Sequence, residues 1–164
     1  MANRKRKAPA RAGAKVKAAG APKQKITTYL WFDGKAEEAA RFYVSLFKDS
    51  KVNSASPMMV RFTLAGQEFL ALNGGPQFQF NESISLYVDC ADQKEVDYFW
   101  NALTANGGQE SRCGWLKDKF GLSWQIIPRA LPGLIGHPDP ARSQRAVKAM
   151  LQMRKIDIAA LERA

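Results

Sequence analysis

Ile26-Thr27-Thr28-Tyr29-Leu30-Trp31-Phe32 is a run of β-branched and aromatic residues, and such a run predicts a β-strand. An amphipathic helix is predicted over residues 37–48, where apolar side chains recur at helical spacing: Ala39, Phe42, Tyr43, Leu46 and Phe47. Two more strand patterns, at 60–64 and 68–72, are separated by a short turn and predict a hairpin. The first half of the chain is therefore expected to mix strands with one helix.

The same order of elements returns in the second half. Strand patterns at 84–88, 109–113, 115–120 and 122–127 surround a helix pattern at 93–104. Similar residues recur at a spacing of 58 in the first strand and helix and of 55 in the last strands: Ile26 and Ile84, Tyr29 and Tyr87, Glu37 and Glu95, Phe42 and Trp100, Gly66 and Gly121, Phe69 and Trp124. We expect an α+β fold with two tandem β-α-β-β-β modules, about 25–75 and about 82–130.

The end of the chain has a helical pattern. Asp139-Pro140 is typical of an N-cap followed by proline in the first helical turn. An apolar stripe then runs from Val147 to Ile156, and residues 157–161 predict a short last helix. We expect residues 131–164 to form helices that pack on the domain or on a dimer partner.

Composition favours a soluble protein of the cytoplasm. The chain has 164 residues, of which 46% are apolar, enough for a core without disulfides. Its two cysteines, Cys90 and Cys113, are far apart in the sequence and are expected to be reduced thiols. No apolar run suits a signal peptide or a membrane span, so no membrane association is expected.

The net charge of +10 is concentrated at the N-terminus. Residues 1–25 contain nine basic residues and no acidic one, whereas the remainder has 16 basic and 15 acidic residues. A tail of this composition, residues 1–24, is expected to be disordered. Two kinds of interpretation stay open: weak, nonspecific contact of residues 1–25 with nucleic acid, or no binding role, as in a solubilising extension or a misassigned start codon.

Few residues suit metal binding or nucleophilic catalysis. The chain has one histidine, His137, and its two cysteines are not clustered, so we expect no catalytic metal and no cofactor. Cys113 is the one candidate nucleophile, since Arg112 and Lys117 are close in sequence and a cation would lower its pKa. The alternative is an unreactive buried thiol.

Three runs of sequence resemble a known family: Tyr29 to Ala39 with Phe42-Tyr43, Leu72-Asn73-Gly74-Gly75-Pro76, and Cys113 to Pro128. They are similar to PhnB-like proteins of the vicinal-oxygen-chelate superfamily, which includes glyoxalases, bleomycin-resistance proteins and extradiol dioxygenases. Many such sequences carry the label demethylubiquinone methyltransferase. The resemblance covers about residues 25–164, with the superfamily domain at 25–130.

The resemblance implies a cupped sheet around a cavity that is often completed in a homodimer. In metal-using relatives, histidine and glutamate ligands point into this cup, and the glutamate of the last strand lies four residues after a glycine. Counted from Gly121, that position is Gln125, a neutral amide and a poor ligand. The resemblance therefore favours a metal-free site. No glycine-rich strand-to-helix loop supports the methyltransferase label.

Strand alternation predicts which side chains face the cup. If Leu30, Trp124 and Ile126 pack under the helices, their neighbours face the other way. The predicted lining is Tyr29, Trp31, Ser85, Tyr87 and Gln125, with Asn73 and Trp115. This set suits a small planar or amphipathic ligand. The alternative is that these aromatic residues fill a dry interior.

Three functions are consistent with these patterns. The first is a metal-free, PhnB-like protein that binds a small organic molecule in an aromatic cup, as a homodimer. The second is a metal-independent enzyme that uses the same cup, with Gln125, Tyr29 or Tyr87 as hydrogen-bonding groups. The third is an accessory protein whose basic tail binds nucleic acid.

Overall fold

The computed structural model describes residues 24–164 of the chain. The predicted basic tail, residues 1–24, lies outside this range except for Gln24, whose side chain pairs with the backbone of Glu68 through bonds of 2.9 and 3.2 Å. Within the described range, no helix has both the length and the apolar character needed to cross a bilayer.

The first module forms a four-stranded mixed sheet with one helix. Its elements are β1 (Thr28–Phe32), α1 (Ala36–Leu46), β2 (Lys51–Ala55), β3 (Met59–Leu64) and β4 (Gln67–Asn73). The strand order is β1-β4-β3-β2, in which β1 is parallel to β4 and the other pairs are antiparallel.

The second module repeats this arrangement. Its elements are β5 (Leu86–Cys90), α2 (Gln93–Thr104), β6 (Gln109–Glu110), β7 (Trp115–Lys117) and β8 (Ser123–Pro128), with the sheet order β5-β8-β7-β6. Again the first strand is parallel to the last. The predicted α+β fold with two tandem modules is confirmed, and each module has its own hydrogen-bonded sheet.

The strand β2 was absent from the sequence-based prediction. Its sequence, Lys51-Val52-Asn53-Ser54-Ala55, is mostly polar, and four of its five residues are exposed. It is an edge strand that pairs only with β3, so it needs no buried face and has no apolar alternation. The pattern that marks most strands is therefore missing here for a physical reason.

One hydrophobic core joins the two modules. Helix α1 contributes Tyr43, whose ring lies 5.4 Å from that of Trp124 and 6.4 Å from that of Phe62. Phe47, just after α1, stacks on Phe99 of α2 at 4.5 Å. Because the helix-side faces of both sheets share this core, their opposite faces lie on the outside of the chain.

The C-terminal segment packs on the second module. It contains α3 (Leu131–Ile135), α4 (Pro140–Gln152) and α5 (Ile158–Glu162), and Asp139 caps α4 as predicted, accepting a bond from the Ala141 amide at 2.9 Å. A small cluster of apolar residues from these helices covers Ile127 of β8. The segment therefore occupies part of the face of the second sheet that is opposite α2.

Gly114 makes the contact between this segment and the sheet possible. Its φ is +85°, and a Cβ there would lie 2.7 Å from Ile127 Cδ1 and 2.9 Å from the Ile126 carbonyl oxygen. The amide of Gly114 donates to the Arg154 carbonyl at 2.7 Å, and the neighbouring Cys113 amide donates to the Met153 carbonyl at 2.9 Å. A larger residue at 114 would separate these backbones.

Candidate functional site

The residues predicted to line a cup fall into two groups. Tyr29 and Trp31 lie on β1, and we call them the first-sheet group. Ser85, just before β5, lies with residues of β5, β7 and β8 on the second sheet. In the described part of the chain, the two groups belong to separate sheets and do not line one shared cavity.

Three of the predicted residues form a row across the second sheet. Tyr87 pairs with Gln125, and Gln125 pairs with Trp115. We call this set the second-sheet row. Trp124 and Ile126 are buried on the helix side, which leaves Gln125 on the opposite face, as the alternation predicted. Tyr87 is 55% exposed, so this face is open at the row.

The amide of Gln125 is held in one orientation. Its Nε2 donates to the Ser85 hydroxyl oxygen at 2.9 Å. The amide oxygen accepts no hydrogen bond from residues 24–164. Because Nε2 faces Ser85, this acceptor is at the end of the amide group that does not contact Ser85. Desolvation and the nearby Asp89 carboxylate raise the pKa of Tyr87, so its phenol is neutral and a donor at pH 7. The row therefore offers one amide oxygen and one hydroxyl.

The charges beside the row are already paired. On one side Lys117 Nζ lies 2.6 Å from Glu82 Oε1. On the other, Arg129 Nε donates to Asp89 Oδ2 at 2.7 Å. Ser123, on the same face of β8 as Gln125, is fully buried, and its hydroxyl has no hydrogen-bond partner in the described chain. The surroundings of the row are polar but nearly neutral.

The first-sheet group lies on an open, largely apolar face. Tyr29 is 51% exposed, and its hydroxyl lies 3.7 Å from Met59 Sδ. Trp31 is half-buried, donates from Nε1 to the Gly75 carbonyl at 2.8 Å and meets Phe78 edge-on at 5.0 Å. Gly74 lies so close to the Trp31 indole that a Cβ there would overlap the ring. The Asn73-Gly74-Gly75 turn thus fixes the orientation of Trp31.

Asn73 has both polar groups engaged within the chain. Its Oδ1 accepts from the amide of Ala36, the first residue of α1, at 2.8 Å. Its Nδ2 donates to the Pro57 carbonyl at 2.8 Å. The side chain therefore caps α1 from a neighbouring strand and also ties down the turn between β2 and β3. This role explains the residue without a ligand.

Replacing Asn73 with alanine is expected to lower the free energy of unfolding by about 1–2 kcal/mol, since it removes a cap and a turn contact. Asn73→Asp is the comparison variant: its carboxylate still accepts from the Ala36 amide, but its second oxygen would face the Pro57 carbonyl oxygen, so the cap is kept and the turn contact becomes unfavourable. Urea unfolding followed by circular dichroism measures both changes. Equal stability of the alanine variant and the wild type would contradict the capping role.

The two cysteines differ in environment. Cys90 is buried at the end of β5, and burial raises the pKa of its thiol to about 12, which keeps it protonated. Cys113, the candidate nucleophile, has a φ of +56°, and its Sγ lies 3.6 Å from the Met150 carbonyl oxygen. It lies at the junction with the C-terminal segment, outside the second-sheet row.

Within residues 24–164, two of the cavities lie where the modules meet, and local sequence patterns do not predict them. The larger cavity, about 860 Å³, is lined by Ser85 and Tyr87 together with residues from the end of α1, the β3–β4 turn and α2. The smaller cavity, about 460 Å³, is lined by Trp31, Phe78 and the lysines Lys117 and Lys119, among others. Both cavities depend on how the modules pack, and no local sequence pattern predicts that packing.

The residues around Gln125 do not fit a divalent metal. Its neighbours are a phenol, an indole and a hydroxyl, and its own amide nitrogen faces Ser85. Residues 24–164 contain no group of three histidine, cysteine, aspartate or glutamate side chains close enough to hold an ion. Zinc and similar ions need several such ligands converging on one point.

Comparisons with known proteins agree with this fold. Residues 24–127 match the 3-demethylubiquinone-9 3-methyltransferase family. The PhnB protein of Bacillus cereus, named for that same activity, is 36% identical over 64% of this chain and 99% of its own, with a TM-score of 0.58. The Pseudomonas aeruginosa protein PA1353 is 21% identical over 62% of this chain and 94% of its own, with a TM-score of 0.50.

A glyoxalase-related enzyme from Fulvimarina pelagi is 16% identical over 66% of this chain and 91% of its own, with a TM-score of 0.48. No curated protein matches the sequence. The family match spans more than half of the chain and includes both modules. The chain therefore belongs to the 3-demethylubiquinone-9 3-methyltransferase family and is similar to the PhnB protein of Bacillus cereus.

Proposed function

We propose that this protein binds a small, uncharged, planar organic molecule on the second-sheet row, without a catalytic metal. The observation that carries the proposal is the row itself. Tyr87 and Trp115 flank Gln125 on an open face, and the Gln125 amide is oriented by Ser85. Aromatic rings provide stacking surfaces, while the amide oxygen and the Tyr87 hydroxyl provide directional hydrogen bonds.

The preference for an uncharged ligand follows from the paired charges. Lys117 is neutralised by Glu82, and Asp89 is neutralised by Arg129. A charged ligand would lose its hydration without gaining a free opposite charge, and that loss is costly. A carbonyl, phenol or amide group can instead exchange its water for the Gln125 oxygen and the Tyr87 hydroxyl.

The ligand site is proposed to be completed by a second copy of the chain. The first-sheet group lies on a separate open face, where Tyr29 and Met59 are both well exposed. Strands β1 and β5 are the outer strands of their sheets. A homodimer that places β1 of one protomer beside β5 of its partner would bring Trp31 to the second-sheet row and form the cup.

We do not propose methyltransferase activity for this chain. A methyl donor with a nucleoside is usually bound at a glycine-rich turn between a parallel strand and a helix. Here the turn between β1 and α1 is only Asp33-Gly34-Lys35, and the turn between β5 and α2 is only Ala91-Asp92. Such short turns leave little room to cradle a nucleoside.

A screen of neutral aromatic compounds by thermal shift tests the proposed function. At least one phenol, quinone or aryl amide is expected to raise the Tm, and the shift should persist in EDTA. Gln125→Leu should weaken binding of that compound about tenfold, because it removes the amide oxygen to which the ligand would bond. Gln144→Leu, a change of the same kind on α4, should leave binding unchanged.

Three results would count against this proposal. The first is a shift that disappears in EDTA and returns with a divalent ion, which would indicate a metal site. The second is equal binding by wild type and Gln125→Leu, which would place the ligand elsewhere. The third is a preference for anionic over neutral compounds of the same shape, which would contradict the role of the paired charges.

A further inference from the structure

The positive charge of this chain lies outside the part that matches the family. Residues 24–127 contain ten basic and twelve acidic residues, whereas residues 128–164 contain seven basic and three acidic residues. The C-terminal segment is therefore basic in itself, independently of the N-terminal tail. Its charge is concentrated on one element, helix α4.

Helix α4 carries three cations and no acid. Arg142, Arg145 and Lys148 are spaced three residues apart, and we call them the basic face of α4. Steps of three residues advance 300° around a helix, so the three side chains lie within about 120° of one another. The rise of the helix separates the first Cα from the last by about 9 Å. All three residues are exposed.

Most other cations of the segment are neutralised within the chain. Arg154 pairs with Glu110 at 3.4 Å, and Lys155 pairs with Asp97 at 2.6 Å. Arg145 donates to the Ala164 carbonyl at 2.8 Å and keeps its charge. Arg142 and Lys148 form no ion pair with any carboxylate in residues 24–164. Two of the three cations of the basic face therefore have no ion-pair partner in residues 24–164.

The helix holds this face rigidly and in one direction. Ala146, on the inner side of α4, is only 3% exposed, and Asp139 caps the first turn. The Met153 amide closes the last turn on the Met150 carbonyl at 2.9 Å. Because the inner side is packed on the protein, α4 has no free apolar face of the kind that lies in a bilayer.

We propose that the basic face of α4 binds the phosphate backbone of nucleic acid without sequence preference. A guanidinium matches phosphate oxygens with two parallel N–H bonds, and a lysine adds a mobile point charge. A row of exposed cations is complementary in charge to a polymer that carries one negative charge about every 1.7 Å along its axis. This surface is separate from the second-sheet row, so it does not depend on the proposed ligand.

Fluorescence anisotropy with a labelled duplex of about 20 base pairs tests this interface in the full-length protein. The Kd is measured between about 50 and 200 mM salt, and the slope of log Kd against log salt is compared. The double variant Arg142→Gln/Lys148→Gln removes two cations from the face. Its slope is expected to be smaller by about 1.8, since each phosphate contact contributes about 0.9.

The double variant Lys51→Gln/Lys94→Gln is the matched control, because both lysines are exposed and lie on β2 and α2. It changes net charge by the same amount and should leave the slope within about 0.5 of wild type. Equal slope changes in the two double variants would overturn the proposal, because net charge alone would then be responsible. No binding of duplex by the wild type at low salt would also overturn it. The proposal would also be overturned if Arg142→Gln/Lys148→Gln lost binding to phosphatidylserine vesicles while its binding to the duplex stayed unchanged.

Discussion

Substitution of Asp118 by alanine is expected to lower the free energy of unfolding by about 3–5 kcal/mol. Asp118 is 3% exposed, and its carboxylate accepts four hydrogen bonds. Two come from buried side chains, the Tyr43 hydroxyl and the Trp124 indole, both at 2.8 Å. Two come from the amides of Phe120 at 2.8 Å and Leu122 at 3.1 Å. Alanine would leave all four donors without this partner.

The effect should be large because Asp118 joins the two modules. Tyr43 belongs to α1 of the first module, whereas Trp124 belongs to β8 of the second. A loss of about 4 kcal/mol is a large part of the 5–15 kcal/mol that stabilises a typical domain. For a protein of this size it corresponds to a fall in Tm of about 8–16 °C, which differential scanning calorimetry would detect.

Tyr43→Phe is the matched control for this experiment. It removes one donor and leaves the carboxylate with three, so it is expected to cost about 1 kcal/mol. Asp118→Asn keeps the shape and part of the acceptor capacity and should fall between the two. An alanine variant that melts within about 2 °C of wild type would show that the Asp118 network contributes little.

The stability of the wild type relative to Asp118→Asn should also depend on pH. Burial raises the pKa of the Asp118 carboxyl, although its hydrogen bonds act in the opposite direction. A folded-state pKa above the unfolded value of about 3.9 means that the folded state binds the proton more tightly. The proton-linked part of the stabilisation by Asp118 is therefore greatest at low pH and is lost as pH rises through the folded-state pKa, whereas the four hydrogen bonds that it accepts do not require that proton. The free energy of unfolding of the wild type, relative to that of Asp118→Asn, should therefore increase as the pH falls from 7 to 4.

The sequence predicted those features that depend on local pattern. Alternation along β8 correctly placed Trp124 and Ile126 in the core and Gln125 on the other face. It also places Ile127 on the face of Gln125, where Ile127 is buried because the C-terminal segment covers it. Nothing within β8 reports that a segment beginning at residue 131 folds back onto it.

Asp118 and Asn73 show the same limit for polar residues. Asp118 lies in Lys117-Asp118-Lys119, a charged run that is typical of a solvated turn, yet its carboxylate is buried because donors from two modules converge on it. Asn73, the last residue of β4, is predicted to line a ligand site, and in the structure its side chain also caps a helix that begins 37 residues earlier. In both cases the hydrogen-bond partners are distant in sequence, so spacing and composition carry no signal for them.

Mixed dimers of two defective chains are expected to recover half of the ligand sites. If each site combines Trp31 of one protomer with Gln125 of its partner, a dimer of Trp31→Ala and Gln125→Leu chains has two different sites. One site contains both substitutions, and the other contains neither. Each homodimer has two damaged sites. Co-expression with two affinity tags isolates the mixed dimer, and titration calorimetry with a compound from the aromatic screen measures its stoichiometry.

The expected result is half of the wild-type stoichiometry at wild-type affinity for the mixed dimer, and binding weakened about tenfold or more for either homodimer. Tyr29→Ala is a second first-sheet variant, in case removal of the Trp31 indole disturbs the Gly74 turn that packs on it. Failure of every mixed dimer to bind would place the whole site within one chain, and a monomer in sedimentation would exclude the shared cup. Recovery by mixing requires that the two groups of residues meet across a subunit interface, because no rearrangement within one chain can make an intact site from two defective ones.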